Sequence, residues 1–219
     1  MNLACYSPPR NYGLNLVYHD DSIIVVNKPA GLLSVPGRGT DKQDCMSARI
    51  QEEFPDALIV HRLDMATSGL MVFARGVEMQ RRLSLMFQER KVEKRYVAVV
   101  AGKPETDAGE VNLPIITDWP NRPKQKIDAA IGKRSLTRYR LLAHNSNLNT
   151  SRVELQPVTG RTHQLRIHMA AIDHPILGDH LYGGAVSENA DRLLLHAHSL
   201  NFMHPLSETA VSCICESPF

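Results

Sequence analysis

His61-Arg62-Leu63-Asp64-Met65-Ala66-Thr67-Ser68-Gly69, followed at once by Leu70-Met71-Val72-Phe73-Ala74, is the stretch from which the rest of the chain can be read. The first part is the densest polar segment between apolar elements. The second is an unbroken apolar run, the pattern of a strand buried on both faces. A polar loop that feeds a buried strand holds its side chains at the rim of a core, and Asp64 is the acid it places there. An aspartate in such a loop is most simply a turn or cap residue, so composition alone makes Asp64 a candidate catalytic group and leaves the turn reading open. The segment echoes a kinase catalytic loop, but Leu63 stands where the aspartate would be, and neither D-F-G nor a glycine-rich phosphate loop is present.

On the N-terminal side, Leu14 to Tyr18 and Ile23 to Asn27 are short apolar runs around the polar His19 to Ser22, which predicts a hairpin. Lys28-Pro29-Ala30-Gly31 ends the second run and opens a Gly/Pro-rich loop through Gly39. Asp44 is placed to cap a helix carrying Met46, Ile50 and Phe54. On the C-terminal side, Met79, Leu83 and Met86 give one apolar face to a helix over 77–89, and Tyr96 to Val100 is the next strand. Two prolines make Asp118 to Lys124 a loop. Leu136 to Leu142 and Arg152 to Leu155 form an antiparallel pair around Asn145 to Asn149. Thr159 or Thr162 caps a helix carrying Leu165, Met169 and Ile172. Leu193 to Leu195, Leu200 to Met203 and Val211 to Cys215 are late short strands. Strands outnumber helices and hairpins dominate, which predicts an α+β fold with a mostly antiparallel sheet flanked by helices and loops. With 219 residues, no internal repeat and no dividing linker, the expectation is an N-terminal arm over 1–14 and one catalytic domain over 15–219.

Hydrophobic residues at 43% and charged residues at 22% place the chain with ordinary soluble proteins, and no apolar run reaches the length of a membrane helix. A soluble cytoplasmic monomer is the default expectation. Leu3-Ala4-Cys5 has no apolar run before it and Pro8-Pro9 after it, so it reads as a loose arm and not a lipoprotein cleavage site. The four cysteines include no C-x-x-C pair, which argues against zinc or a disulfide framework. A net charge of +2 falls short of a simple nucleic-acid clamp, so any such partner must be met by local charge. Two stretches offer it. Between Arg81 and Arg95 six basic residues face two acids, and between Arg122 and Arg134 five face Asp128 alone. A charge run is commonly just a solvated face.

The second polar block is Pro157-Val158-Thr159-Gly160-Arg161-Thr162-His163-Gln164-Leu165-Arg166-Ile167-His168. Its helix start offers N–H groups and two arginines to an anion. Arg166 adjoins the apolar face, where a guanidinium is costly unless a carboxylate meets it in a bidentate pair. His163 and His168 lack metal-ligand spacing and read as hydrogen-bonded structural histidines.

Together these blocks resemble the RluA family of pseudouridine synthases. His61-Arg62-Leu63-Asp64 with Thr67-Ser68-Gly69 is similar to the family signature. Asn27-Lys28-Pro29-x-Gly31, Lys94-x-Tyr96-x-Ala98, Gly160 to His168, His174-Pro175-Ile176-x-Gly178-Asp179 and Leu194-Leu195-His196-Ala197 resemble its other blocks, in order. Leu32 to Arg38, Met65-Ala66 and Asp118 to Lys126 resemble the variable loops of the family's dual-specificity branch. Ala30 departs from an expected serine. The tail Cys213 to Phe219 lacks the usual phenylalanine–alanine–proline ending, which puts the packing of the last strand in question, and no S4-like module is expected.

The resemblance implies an isomerase that converts uridine to pseudouridine without cofactor or metal, in a 23S rRNA hairpin and a tRNA anticodon stem-loop. It implies Asp64 as the essential carboxylate, Arg166 as its ion-pair partner, and Tyr96 stacked on the base. Arg62 would fill the stack when the uridine flips out, and Leu194 would wall the base. His61, Thr67, Arg161, Trp119, Arg122, Lys124 and Lys126 join the RNA-contacting set. Trp119 is equally readable as the residue that pins its loop to the body. Two rivals stand beside this reading: a catalytically inert RNA-binding or chaperone domain, and a metallohydrolase using His61, His163 and His168.

Overall fold

The computed structural model describes residues 6–219, so Leu3-Ala4-Cys5 lies outside the described residues. Along the chain the first elements are β1 (Leu16–His19), β2 (Ile23–Lys28), α1 (Met46–Glu53), β3 (Ala57–Ile59), β4 (Ser68–Arg75) and α2 (Val77–Gln88). There follow β5 (Glu93–Ala101), β6 (Ala108–Asn112), β7 (Ile115–Thr117), β8 (Gln125–Ile127), β9 (Leu136–Asn145), β10 (Thr150–Pro157), α3 (Gln164–Ala171), β11 (Leu195–Met203) and β12 (Ala210–Ile214). This is the α+β architecture expected from the sequence. The elements fall into two compact units, one built from the chain up to Glu93 with Ala197–Ser217, the other from Lys94–His196 with Pro218–Phe219.

In the first unit the strand order is β1-β2-β4-β11, with β12 beside β11 and β3 beside β4. β1 and β2 form the expected antiparallel hairpin, and β2 runs antiparallel to β4 with Val25 opposite Val72. β4 is buried along all but its last residue, as an unbroken apolar run requires. Its neighbours must come close. Gly69 sits at φ 111°, and a Cβ there would lie 2.4 Å from the Ala197 carbonyl, so only glycine lets this edge of β4 meet Ala197. Met79 and Leu83 of α2 pack with Leu70, Val72, Leu200, Phe202, Val211 and Cys213 in the core. The final strand is thus firmly packed, with β12 antiparallel to β11, despite its unusual sequence.

In the second unit the order is β5-β10-β9-β6, with β7 and β8 as a separate hairpin. β9 and β10 pair antiparallel around the asparagine-rich turn, and β10 pairs antiparallel with β5. Val97, Ala98 and Val100 of β5 are buried together with Val153 and Leu155 of β10.

Several local expectations are corrected. Asp44 does not cap α1; the cap residue is Cys45, and Asp44 instead grips Arg49 at 2.7 and 2.8 Å. Neither Thr159 nor Thr162 caps α3. The cap residue is His163, while the Thr159 hydroxyl accepts from Leu136 N–H at 2.9 Å and donates to Gln164 Oε1 at 2.7 Å. The strands expected over Leu193 to Leu195 and Leu200 to Met203 are one strand, β11, and β3, β6, β7 and β8 add to the expected set.

Candidate active site

Asp64 lies in the loop between β3 and β4, half-buried, with Thr67 N–H bonded to its carbonyl at 3.1 Å to close a turn. Both of its chain neighbours are clamped from the end of β2 and the loop that follows it. The Ser34 hydroxyl donates to the Leu63 carbonyl at 2.7 Å and accepts from Leu63 N–H at 3.1 Å. Lys28, wholly buried, aims its ammonium at the carbonyls of Leu32 (2.7 Å), Pro29 (2.9 Å) and Met65 (3.2 Å). Gly31, in the left-handed region at φ 83°, gives its N–H to the same Met65 carbonyl at 2.8 Å. Three donors to backbone oxygens satisfy a buried ammonium that would otherwise be very costly. The backbone on either side of Asp64 is fixed by groups some thirty residues earlier, a preorganised setting for a reacting carboxylate.

His61 is turned into the same unit. Its Nε2 accepts Val72 N–H at 2.9 Å, one step beyond the last β3–β4 partners, and its ring stacks on Phe87 at 4.4 Å. Thr67 is buried and Arg62 is exposed.

In the second unit, α3 carries Arg166 nearly buried at 5% exposure. The bidentate carboxylate its position demands is Asp179, at 2.8 Å from Nε and 2.7 Å from Nη2. Burial pushes the Asp179 carboxyl up, but Arg166 and the N–H groups of Leu181 and Tyr182 outweigh it and hold the group below the usual carboxylate range. Tyr182 completes the cluster: its ring lies 5.3 Å beneath the Arg166 guanidinium, and its hydroxyl meets His163 Nδ1 at 2.8 Å. Both nitrogens of His168 are engaged, with Thr137 Oγ1 and the Leu113 carbonyl at 2.9 Å each, and burial lowers its pKa. These are structural histidines, and no group of three potential metal ligands occurs among the described residues.

Tyr96 stands half-buried on β5 opposite Leu155. Leu194 is held by its backbone between Val99 and Leu177. Arg161 is exposed at the foot of α3, where its N–H donates to Gln164 Oε1 at 3.0 Å.

The two basic stretches part company. Arg81 and Arg82 both pair with Glu78, Lys91 with Glu89 and Arg95 with Glu154, so much of the first stretch is neutralised by acids, two of them outside its sequence window. In the β7–β8 hairpin, Trp119 is 68% exposed and does not pin the loop; the Arg122 guanidinium lies 4.8 Å over it. Lys126 is 3.6 Å from Asp128, and Arg122 and Lys124 have no acidic partner among the described residues.

A clamped aspartate, a buried arginine–carboxylate pair and an exposed cationic hairpin suit chemistry on an anionic polymer, and comparison with known proteins names it. Residues 22–171, more than half of the chain, match the RNA pseudouridylate synthase family. The chain is an RNA pseudouridylate synthase. It is 50% identical over 206 residues to the dual-specificity RNA pseudouridine synthase RluA of Escherichia coli strain K12, covering 94% of each chain. The Haemophilus influenzae protein of the same description is 46% identical over 220 residues, covering 100% of each. Among solved structures, human RNA pseudouridylate synthase domain containing 1 is similar with a TM-score of 0.79 and 29% identity, over 97% of this chain and 87% of that one.

The synthase is therefore an isomerase acting on uridine in RNA. Its sequence singles out Asp64 and Arg166, but gives no role to Lys28, Ser34, Asp179 or Tyr182. A usable signal is present at the last two: Gly178-Asp179 followed by Tyr182-Gly183 sets an acid and an aromatic within a tight, glycine-flanked turn.

Proposed function

We propose that this synthase converts uridine to pseudouridine in two kinds of RNA, a hairpin of 23S rRNA and the anticodon stem-loop of tRNA, with Asp64 as the essential carboxylate. The reading of two substrates rests on the relatives described as dual-specificity enzymes. The observation that carries the assignment of Asp64 is its clamp, with Leu63 and Met65 both fixed by buried donors. Acting on rRNA and tRNA would place it in the cytoplasm.

The reaction breaks the N1–C1′ bond, turns the base, joins C5 to C1′ and removes the C5 proton. No electron leaves or enters. The carboxylate of Asp64 serves either as nucleophile at C1′ or as base for the C2′ proton, and both routes need it ionised. Arg166 holds it so. A guanidinium has five N–H donors, and Asp179 takes two of them, so the same group can serve a second carboxylate. Tyr96 stacks on the base and assists loss of the C5 proton, and Leu194 walls it. Arg62, exposed two residues from Asp64, fills the gap left by the flipped uridine. Thr67, His61 and Arg161 support this set, and Trp119, Arg122, Lys124 and Lys126 contact the RNA.

The test is release of tritium to water from RNA labelled at uridine C5, on an anticodon stem-loop and on an rRNA hairpin. Release from both, abolished in Asp64→Asn, is the expected result. Release from one alone would reduce the substrate range, and full release by Asp64→Asn would remove the carboxylate from the chemistry.

A further inference from the structure

Tyr182 lies outside every sequence block that pointed to the site, yet it joins two parts of the second unit that the function needs. Its hydroxyl accepts the backbone N–H of Gln125 at 2.7 Å, at the first residue of β8. The same hydroxyl lies 2.8 Å from His163 Nδ1 and donates to it when that nitrogen carries no proton. His163 presents its ring from a left-handed backbone at φ 56°, ψ 16°, an unusual conformation for a non-glycine residue. The Tyr182 ring lies 5.3 Å under the Arg166 guanidinium. Its backbone N–H, with that of Leu181, bonds Asp179 Oδ1 at 3.2 and 2.9 Å, the oxygen that also receives Arg166 Nη2. Tyr182 thus touches the Arg166–Asp179 pair with ring and backbone, and the hairpin with its hydroxyl.

Among the described residues, the tip of that hairpin bonds mainly to itself. Asp118 N–H reaches the Lys124 carbonyl, Lys124 N–H the Asn121 carbonyl, and the Thr117 hydroxyl the Gln125 side chain. The Gln125 N–H therefore ties the base of the cationic tip to α3 through one phenol.

We propose that Tyr182 is a positioning residue that couples the seating of the β7–β8 hairpin on RNA to the orientation of the Arg166–Asp179 pair. Phosphates drawn to Arg122 and Lys124 load the hairpin, and the load reaches Arg166 through the Gln125–Tyr182 bond. The proposal rests on the reading that this hairpin contacts RNA, and its test separates the two. Removing the hydroxyl cuts this link, so binding weakens and turnover slows in part, whereas removing the ring also disturbs the arginine directly and slows turnover further.

The experiment is steady-state tritium release on an anticodon stem-loop for the full chain, Tyr182→Phe, Tyr182→Leu, Arg122→Ala/Lys124→Ala, and that double variant combined with Tyr182→Phe, each with its melting midpoint. Tyr182→Phe should raise KM about fivefold, the worth of one net hydrogen bond, and lower kcat by a smaller factor, with the protein still folded at the assay temperature. Tyr182→Leu, which also removes the ring from under Arg166, should lower kcat further. In the Arg122→Ala/Lys124→Ala background the effect of Tyr182→Phe on KM should vanish, because the hydroxyl acts through the hairpin. An unchanged KM in Tyr182→Phe, an equal rise in both backgrounds, or a KM change that merely follows a lower midpoint would overturn the proposal. If Arg122→Ala/Lys124→Ala itself keeps the parent KM, the hairpin reading fails and the proposal with it. A double variant with raised KM beside a silent Tyr182→Phe would sink the coupling alone.

Discussion

The loop around Asp64 and the tip of the β7–β8 hairpin are both polar, proline- or turn-rich connections, yet one is clamped and the other is presented. Asp64 has a buried lysine, a buried serine and a glycine N–H fixing the backbone on each side of it. The hairpin tip leaves Trp119 and Arg122 exposed and bonds mainly within itself. On the proposed reading Asp64 must meet a single atom of the ribose, and a group with that task gains from being held before substrate arrives. Groups that meet phosphates of a folded RNA gain more from reach and charge than from rigidity.

That contrast is broken most easily at Lys28. Lys28→Met leaves the carbonyls of Leu32 and Pro29 without their ammonium and the Met65 carbonyl with the Gly31 N–H alone. At about 1–3 kcal/mol for each unsatisfied group, the variant should lose roughly 3 kcal/mol or more, and melt about 10 °C lower. An unaltered midpoint in thermal unfolding would show that the clamp holds nothing. At the hairpin the expected effect falls on binding. Arg122→Ala/Lys124→Ala should keep the parent midpoint, weaken RNA binding about tenfold, and reduce the slope of log K against log salt by about 1–2, one unit or slightly less for each phosphate no longer neutralised. A fluorescence titration over several salt concentrations reads both quantities. The smallest effect belongs to the other basic stretch. Arg81→Ala/Arg82→Ala removes charges already paired with Glu78, so affinity should change about twofold or less, as expected for exposed ion pairs. A salt slope that drops as far as in the hairpin variant would erase the distinction between the stretches.

These stretches also mark where the sequence is legible. The apolar period of α2 and the unbroken run of β4 are readable because burial imposes them residue by residue. Charge is not readable in the same way. Glu78 and Glu154, which neutralise three of the arginines, lie before and far after the window in which the basic residues cluster. β3, β7 and β8 have three residues each, too few for alternation to show. β11 reads as two pieces because His196, His198 and Ser199 interrupt its apolar character, although His196 and Ser199 are buried. At the site, the loop bearing Asp64 announces itself through its polar density and motif. The clamp does not, since Lys28 and Ser34 act from some thirty residues away. The position of Arg166 demands a bidentate carboxylate, and the glycine-flanked turn marks Asp179 as a fixed acid, but no spacing in the sequence joins the two. Asp44 and Thr159 read as caps because their side chains can bond nearby N–H groups; in the fold, Arg49 and Gln164 claim them.

The first unit takes its opening strands from the beginning of the chain and its closing strands from Ala197 onward. Leu200, Phe202, Val211 and Cys213, which complete the core over Val72 and Leu83, leave the ribosome only after the whole of the second unit's main segment. All of Lys94–His196 is translated in between, a wait of roughly 5–20 s at about 5–20 residues per second. For that interval the nascent first half carries an open apolar face, which closes only when β11 and β12 emerge.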